Sequence, residues 1–288
     1  MIPAQFDYVA PESLEEALSV LAEAGDDAKV LAGGQSLLPV LRLRLNAPEK
    51  VVDLRRIPGL TDIIEDGDSI VIGSMATHTS VITNALVRDH ALLLSKTVAE
   101  VADPQIRHRG TVGGALVHAD PAGDIGAAAF ALDAQFVIAG PGSVTRTVSS
   151  ADFFVDLFET AVGEGELLTQ VRIPKHTGWG AHYEKFVRVK HQWSIVAVAA
   201  TVRVDPSAGG SIAEARIGLT NMGSTPLRAT SVEHALVGKP ASEDAVREAA
   251  ATAADGTNPP SDLNGDSDYR RHLATVLTRR AVLAAAGA

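Results

Sequence analysis

Two short segments join paired glycines to hydrogen-bonding neighbours, and these are where chemistry can sit. The first, Val30-Leu31-Ala32-Gly33-Gly34-Gln35-Ser36-Leu37, runs from an apolar strand into a double glycine and then toward a helix start. The second, Gly110-Thr111-Val112-Gly113-Gly114-Ala115, leads into His118-Ala119-Asp120-Pro121-Ala122-Gly123-Asp124. Glycine lets the backbone turn freely and lets a ligand approach without a Cβ in the way. Successive N–H groups in such turns, or at a helix start, form a concavity that binds anions. An acidic chain can hold a pyrophosphate in this way without a basic patch. Two such segments in one domain suggest a cradle for a dinucleotide or nucleotide diphosphate, while the plainer use of glycine, tight turns, stays open. Neither segment carries the spacing G-x-G-x-x-G or G-x-x-x-x-G-K-[ST], so the Rossmann and P-loop folds have no support.

The other chemical residues are weaker signals. His118, Asp120 and Asp124 lack helical ligand spacing, and Pro121 and Gly123 between them imply an irregular loop. Hydrogen-bonding roles are therefore expected, and no metal site. No G-x-S-x-G elbow exists, and no residue stands out as a catalytic acid, base or nucleophile. Arg107, His108 and Arg109 precede the second glycine segment, where they would complement phosphate, meet a partner protein or simply face solvent. Trp193 would either stack on a flat cofactor or plug a seam between domains.

Composition narrows the class. The 35 acidic residues against 25 Lys and Arg give a formal charge of −10 in 288 residues, which disfavours nucleic acid as a partner. There is no cysteine, hence no disulfide, thiolate nucleophile or iron–sulfur cluster carried on this chain. The start, Met1-Ile2-Pro3-Ala4, has neither the basic region nor the apolar core of a signal peptide, and no run is long enough to cross a membrane. A cytoplasmic protein is expected, one that partners can bring to the inner face of the membrane.

The elements that must position these segments follow from periodicity and punctuation. Ser13-Leu14-Glu15-Glu16 has the form of a capping box for a helix ending at Gly25. Ala28–Ala32 and Val51–Leu54 read as strands, and a helix is expected around and after Pro39. Asp66-Gly67 marks a hairpin. Residues 79–101 read as helix in two pieces, the glycine-rich stretch 110–126 as an interruption, and 135–174 as strands. Beyond a Pro- and Gly-rich boundary at 174–180, three strands (181–189, 194–204, 212–219) precede three helices. The fold class is α+β. The expected domains are residues 1–176, in two parts of about 1–55 and 56–176, and residues 177–288, a three-stranded antiparallel sheet with helices on one face.

Several motifs in order carry a resemblance. They are Ala32-Gly33-Gly34-Gln35-Ser36, Asp103-Pro104-Gln105-Ile106-Arg107, Thr111-Val112-Gly113-Gly114, the stretch His118 to Asp124, Glu166-Leu167-Leu168-Thr169, Tyr183-Glu184-Lys185, Gly218 to Met222, and Pro226-Leu227-Arg228. In these the chain resembles the flavin-binding medium subunits of molybdenum hydroxylases, the xanthine dehydrogenase group, and within it the aerobic carbon monoxide dehydrogenases. The resemblance implies FAD in a two-part N-terminal domain of the vanillyl-alcohol-oxidase (PCMH) type. Ala32–Ser36 and Thr111–Gly114 would hold the pyrophosphate through backbone N–H groups. Asp124 would hydrogen-bond the ribityl or sugar region, Ala102 and Leu168 would touch the ring system or the adenine, and Lys185 would lie near the isoalloxazine. Trp193 would shield the flavin face, and Val30, Leu31, Leu37, His118 and Asp120 complete the expected contacts. Ala115 departs from the family, which often has Asn there.

The implied role is electron relay. A large subunit with a molybdenum cofactor oxidises substrate, and a small subunit's 2Fe–2S clusters pass electrons to FAD here. The expected assembly is a dimer of heterotrimers, and the external acceptor a quinone or carrier protein. Carbon monoxide leads as substrate, with N-heterocycles (nicotine, purine, caffeine) or an aldehyde as alternatives. A stand-alone flavin oxidoreductase or a scaffold without cofactor are the competing classes.

Overall fold

A computed structural model describes residues 1–287. Near the N-terminus the chain forms a small parallel sheet of β1 (Asp7–Val9), β2 (Ala28–Leu31) and β3 (Lys50–Asp53), with β3 in the middle. Between β1 and β2 lies α1 (Leu14–Ala24), and α2 (Leu37–Arg42) follows β2. Ser13 caps α1, its Oγ accepting the Glu16 N–H at 3.1 Å, and the Glu16 carboxylate accepts the Glu12 N–H at 2.9 Å. Ser13 thus answers one of the orphan donors of the helix start, and Glu16 ties the preceding turn to it. Ala17, Leu18 and Leu21 on the inner face of α1 bury against Val52 and Leu54.

The second part opens with the hairpin β4 (Ile63–Asp66) and β5 (Ser69–Gly73), paired Asp66 to Ser69 around Gly67. Six helices follow: α3 (His78–Thr83), α4 (Ala85–His90), α5 (Leu92–Ala99), α6 (Pro104–Arg109), α7 (Val112–His118) and α8 (Asp124–Ala131). Then come β6 (Gln135–Ala139), β7 (Thr145–Ser149), α9 (Ser150–Phe153), the short hairpin β8 (Phe154–Asp156) and β9 (Glu159–Thr160), and β10 (Leu167–Pro174). Strand β10 returns to the centre of a five-stranded antiparallel sheet, in the order β4-β5-β10-β6-β7.

The last part is a sheet of β11 (Gly180–Phe186), β12 (Val196–Asp205), β13 (Ser211–Thr220) and β14 (Leu227–Arg228), with α10 (Thr230–Leu236), α11 (Glu243–Ala250) and α12 (Ser267–Ala286). Alternate residues of β12 enter two cores. Val196, Val198, Ala200 and Val202 face α12 and its neighbours, while Ala197 and Ala199 join Ala181, Tyr183 and the helices of the second part.

Three expectations are corrected. The C-terminal sheet has four strands, the fourth being the two-residue β14, too short to carry a period. Its own helices α10, α11 and α12 lie on one face, and α5 and α8 of the second part cover the other. Residues 79–101 hold three helical pieces, since Asn84 closes α3 and caps α4 with its side chain, and a further break falls at Ala91. The stretch 110–126 is not a simple interruption. It contains α7, nucleated by Thr111, whose Oγ1 accepts the Gly114 N–H at 3.2 Å. The reading also passed over β1, three residues that pair with β3 and carry no pattern of their own.

Candidate functional site

A cavity of about 740 Å³ lies where the three parts meet, in the range of about 300–1,000 Å³ typical of cofactor pockets. Of the eighteen residues expected at a cofactor, Val30, Ala32, Gly33, Gly34, Gln35, Ser36, Leu37, Ala102, Thr111, Gly113, Gly114, His118, Asp120, Asp124, Leu168, Lys185 and Trp193 line it. Leu31 does not. Its side chain turns the other way, into the small core of Leu41 and Val51, because neighbours along a strand point to opposite faces.

The two glycine segments touch. A Cβ on Gly33 would stand 2.3 Å from the Arg109 carbonyl oxygen, so the first segment needs glycine to lie against the second. The expected reason, room for a phosphate, gives way to close approach of two backbones. The N–H groups of Gly33, Gly34, Gln35 and Ser36 donate to no group among the described residues. Four successive free donors on one loop, ahead of α2, make an anion cradle. The second segment behaves differently. The N–H groups of Val112, Gly113 and Gly114 go to Ala76 O, Ser74 O and Thr111 Oγ1 at 3.0, 2.9 and 3.2 Å. It frames the cavity, and of the four amides expected to hold phosphate, Thr111 to Gly114, only the Thr111 N–H is left without a partner among the described residues.

The remaining wall comes from the last part. Ser194 N–H donates to Ala122 O and Asn221 N–H to Pro121 O, which ties the loops after α7, before β12 and after β13 together. Trp193 rides on that junction at the cavity edge, 55% exposed. The rings of His118, which lines the cavity, and Phe158 lie 5.2 Å apart.

Residues 4–176 match the family described as the FAD-binding domain in molybdopterin dehydrogenase. Residues 181–285 match the CO dehydrogenase flavoprotein C-terminal domain. The chain belongs to this family of FAD-binding medium subunits. It is 39% identical to the carbon monoxide dehydrogenase medium chain of Hydrogenophaga pseudoflava, over 99% of this chain and 98% of that one. It is 34% identical to the glyceraldehyde dehydrogenase medium chain of Sulfolobus acidocaldarius, over 98% of each. It is similar in structure to the reconstituted CO dehydrogenase from Oligotropha carboxidovorans, with a TM-score of 0.95 and 39% identity over 100% of this chain and 99% of that one.

In this FAD-binding subunit the free amides of Gly33–Ser36, which line the cavity, fit the pyrophosphate of the cofactor. Ser74 Oγ and His78 Nδ1, on two residues of the cavity wall, are closed off from the cavity and have no partner among the described residues. Such unmatched polar groups are a cost to the fold. Burial, with the Arg107 charge adding to it, lowers the His78 pKa to about 4, so the ring is neutral at pH 7. Sequence reasoning passed over both residues. Their only signal is position, at the exit of β5 and the start of α3.

Asp124 is the most heavily bonded group of the wall. Its Oδ1 accepts from Tyr183 Oη at 2.6 Å and Ser194 Oγ at 2.8 Å, and its Oδ2 from Lys185 Nζ at 2.8 Å. Lys185 Nζ also donates to Glu100 O at 3.1 Å. Burial raises the Asp124 pKa, against the lowering effect of Lys185 and the three hydrogen bonds. The same burial, together with the Asp124 charge, holds the Tyr183 phenol well above its usual range. With three donors of its own chain already on the carboxylate, Asp124 pins α8 to β11 and to the Trp193 loop. A direct bond to ribityl would compete with that role. Among the described residues no cluster of three or more His, Asp or Glu could hold a metal ion, and no helix is long and apolar enough to cross a membrane.

Proposed function

We propose that this chain is the FAD-carrying relay of an aerobic carbon monoxide dehydrogenase. The observation that carries the reading is the loop Gly33–Ser36, four free amides facing a cavity of cofactor size, in a chain similar from end to end to such medium chains. FAD would supply the ability to accept electrons singly from a cluster and to release them singly or in pairs. The chain's own residues position it. Gly33, Gly34, Gln35 and Ser36 hold phosphate oxygens by their N–H groups, Ala102 and Leu168 give apolar contact, and Trp193 covers one side against water. Lys185, fixed between Asp124 and Glu100, places a buried cation in the wall, where it favours negative charge on whatever lies beside it.

Without cysteine, this chain needs partners to supply clusters. A small 2Fe–2S subunit and a large molybdenum subunit are the expected ones, in a dimer of heterotrimers. No nicotinamide motif is present, which favours a quinone or carrier protein as acceptor. The test is a visible spectrum with cofactor extraction on the chain purified with its native partners, followed by dye-linked assays with carbon monoxide, glyceraldehyde and nicotine. One FAD per chain and carbon monoxide oxidation support the reading. FAD with aldehyde or N-heterocycle oxidation alone moves the role to another hydroxylase of the family. A colourless chain rejects it.

A further inference from the structure

The stretch Gly218 to Met222 carries part of the family resemblance, yet no residue of it lines the cavity. Within it, Asn221 follows β13 with its backbone in the left-handed region, at φ +61°. Asparagine tolerates that conformation and glycine takes it freely, so the backbone alone does not call for asparagine. The buried side chain has its own partners. Its Nδ2 donates to Ser194 O at 2.9 Å and to Ile195 O at 3.2 Å, and the Asn221 N–H donates to Pro121 O at 2.8 Å. One residue thus grips the loop before β12 and the loop after α7, the two that meet at the cavity edge.

Trp193 depends on this grip. Its neighbour Ser194 has every polar group engaged: N–H to Ala122 O at 3.4 Å, Oγ to Asp124 Oδ1 at 2.8 Å, and the carbonyl to Asn221. Ile195 O also accepts from Nη1 of Arg270, a fully buried guanidinium on α12. Before Trp193 the loop has only an internal turn, Gln192 N–H to Val189 O at 2.9 Å, and an exposed pair, Lys190 with Glu100 at 3.6 Å. The half-exposed indole therefore takes its place from the residues that follow it.

We propose that Asn221 is a positioning residue for the cofactor: its side-chain amide fixes Ser194 and Ile195 so that the Trp193 ring stays at the cavity edge and slows the departure of bound FAD. Asn221 does not touch the cofactor and acts through Trp193. This rests on the FAD reading above and on Trp193 as its cover.

The experiment is the rate at which FAD leaves the partner-containing assembly after dilution, followed by the fluorescence of free FAD. Wild type is compared with Asn221→Gly, Asn221→Asp, Trp193→Ala and the double variant Asn221→Gly with Trp193→Ala. Asn221→Gly suits the positive φ and removes only the side-chain donors, and it is expected to release FAD about tenfold faster. Asn221→Asp keeps the size, loses the same donors and is expected to move in the same direction, so it decides where Asn221→Gly does not assemble. The double variant is expected to release FAD no faster than Trp193→Ala alone, because nothing is then left to position. Wild-type rates in Asn221→Gly and Asn221→Asp overturn the proposal. So does a double variant whose acceleration is the product of the two single effects, as a general loosening of the fold would give. A wild-type rate in Trp193→Ala overturns the cover reading and the proposal with it, and a wild-type assembly without FAD overturns the FAD reading, so the failures are distinguishable.

Discussion

At the scale of single residues, the site is decided by what each backbone or side chain has left to give. Gly33 is glycine because the Arg109 carbonyl occupies the place of its Cβ, 2.3 Å away. Gly33→Val is therefore expected to separate the two glycine segments at a cost of about 1–3 kcal/mol. FAD content of the purified assembly should collapse while far-UV circular dichroism stays native. Normal FAD stoichiometry in this variant would show that the contact between segments does not shape the cradle. His78 gives a prediction in pH. Its folded pKa is about 4 against 6.5 for a free histidine, so between these values the unfolded chain binds a proton that the folded chain refuses. Stability to urea should then fall as pH drops from about 6.5 to about 4, by up to about 3 kcal/mol from this one group, and level off below. In His78→Gln that part of the slope should vanish. An identical slope in both proteins would assign it to other groups.

At the scale of elements, the Asp124 carboxylate is the knot between α8, β11 and the loop carrying Trp193. Asp124→Asn leaves the Lys185 ammonium buried against an amide, and removal of one partner from a buried pair costs about 3–5 kcal/mol. Lys185→Met should cost less, because burial already pushes the Asp124 carboxyl toward its neutral form. The double variant should fall short of the sum of the two, the sign of direct coupling. A strictly additive result in chemical denaturation would mean that the 2.8 Å contact contributes nothing. The same knot explains why Tyr183-Glu184-Lys185 carried recognisable sequence signal. Tyr183 and Lys185 share one face of β11, two residues apart, and both reach Asp124.

At the scale of the whole molecule, the three parts are not separable bodies. The largest core runs from Ile70 and Ile72 of β5 through Leu93 and Leu94 of α5 and the alanines of α8 to Ala181, Tyr183, Ala197 and Ala199 of the last sheet. Arg216 and Arg228 add a polar stitch to Asp133 at the end of α8, Arg216 at 3.2 Å. Residues 177–288 expressed alone would bare that sheet face and are expected to bind a hydrophobic dye and self-associate in sedimentation. The full chain should unfold in one transition. A monomeric, dye-free fragment would show that the last domain is autonomous.

Sequence alone determined the local features and the family. Capping at Ser13, the Asp66-Gly67 hairpin, the apolar runs of β2, β3 and β12, and the double glycines are written in residue type and spacing. The absence of cysteine placed any iron–sulfur cluster on another chain. The motifs in order carried the family resemblance. Only the tertiary structure decided which amides are free. Those of Gly33–Ser36 have no partner, while those of Val112–Gly114 are taken by Ser74 and Ala76 in the turn after β5 and by the capping side chain of Thr111. It also decided that Asp124 already accepts three hydrogen bonds from this chain. Long-range packing makes these assignments, and two loops with the same glycine pairs can be given opposite roles by their neighbours.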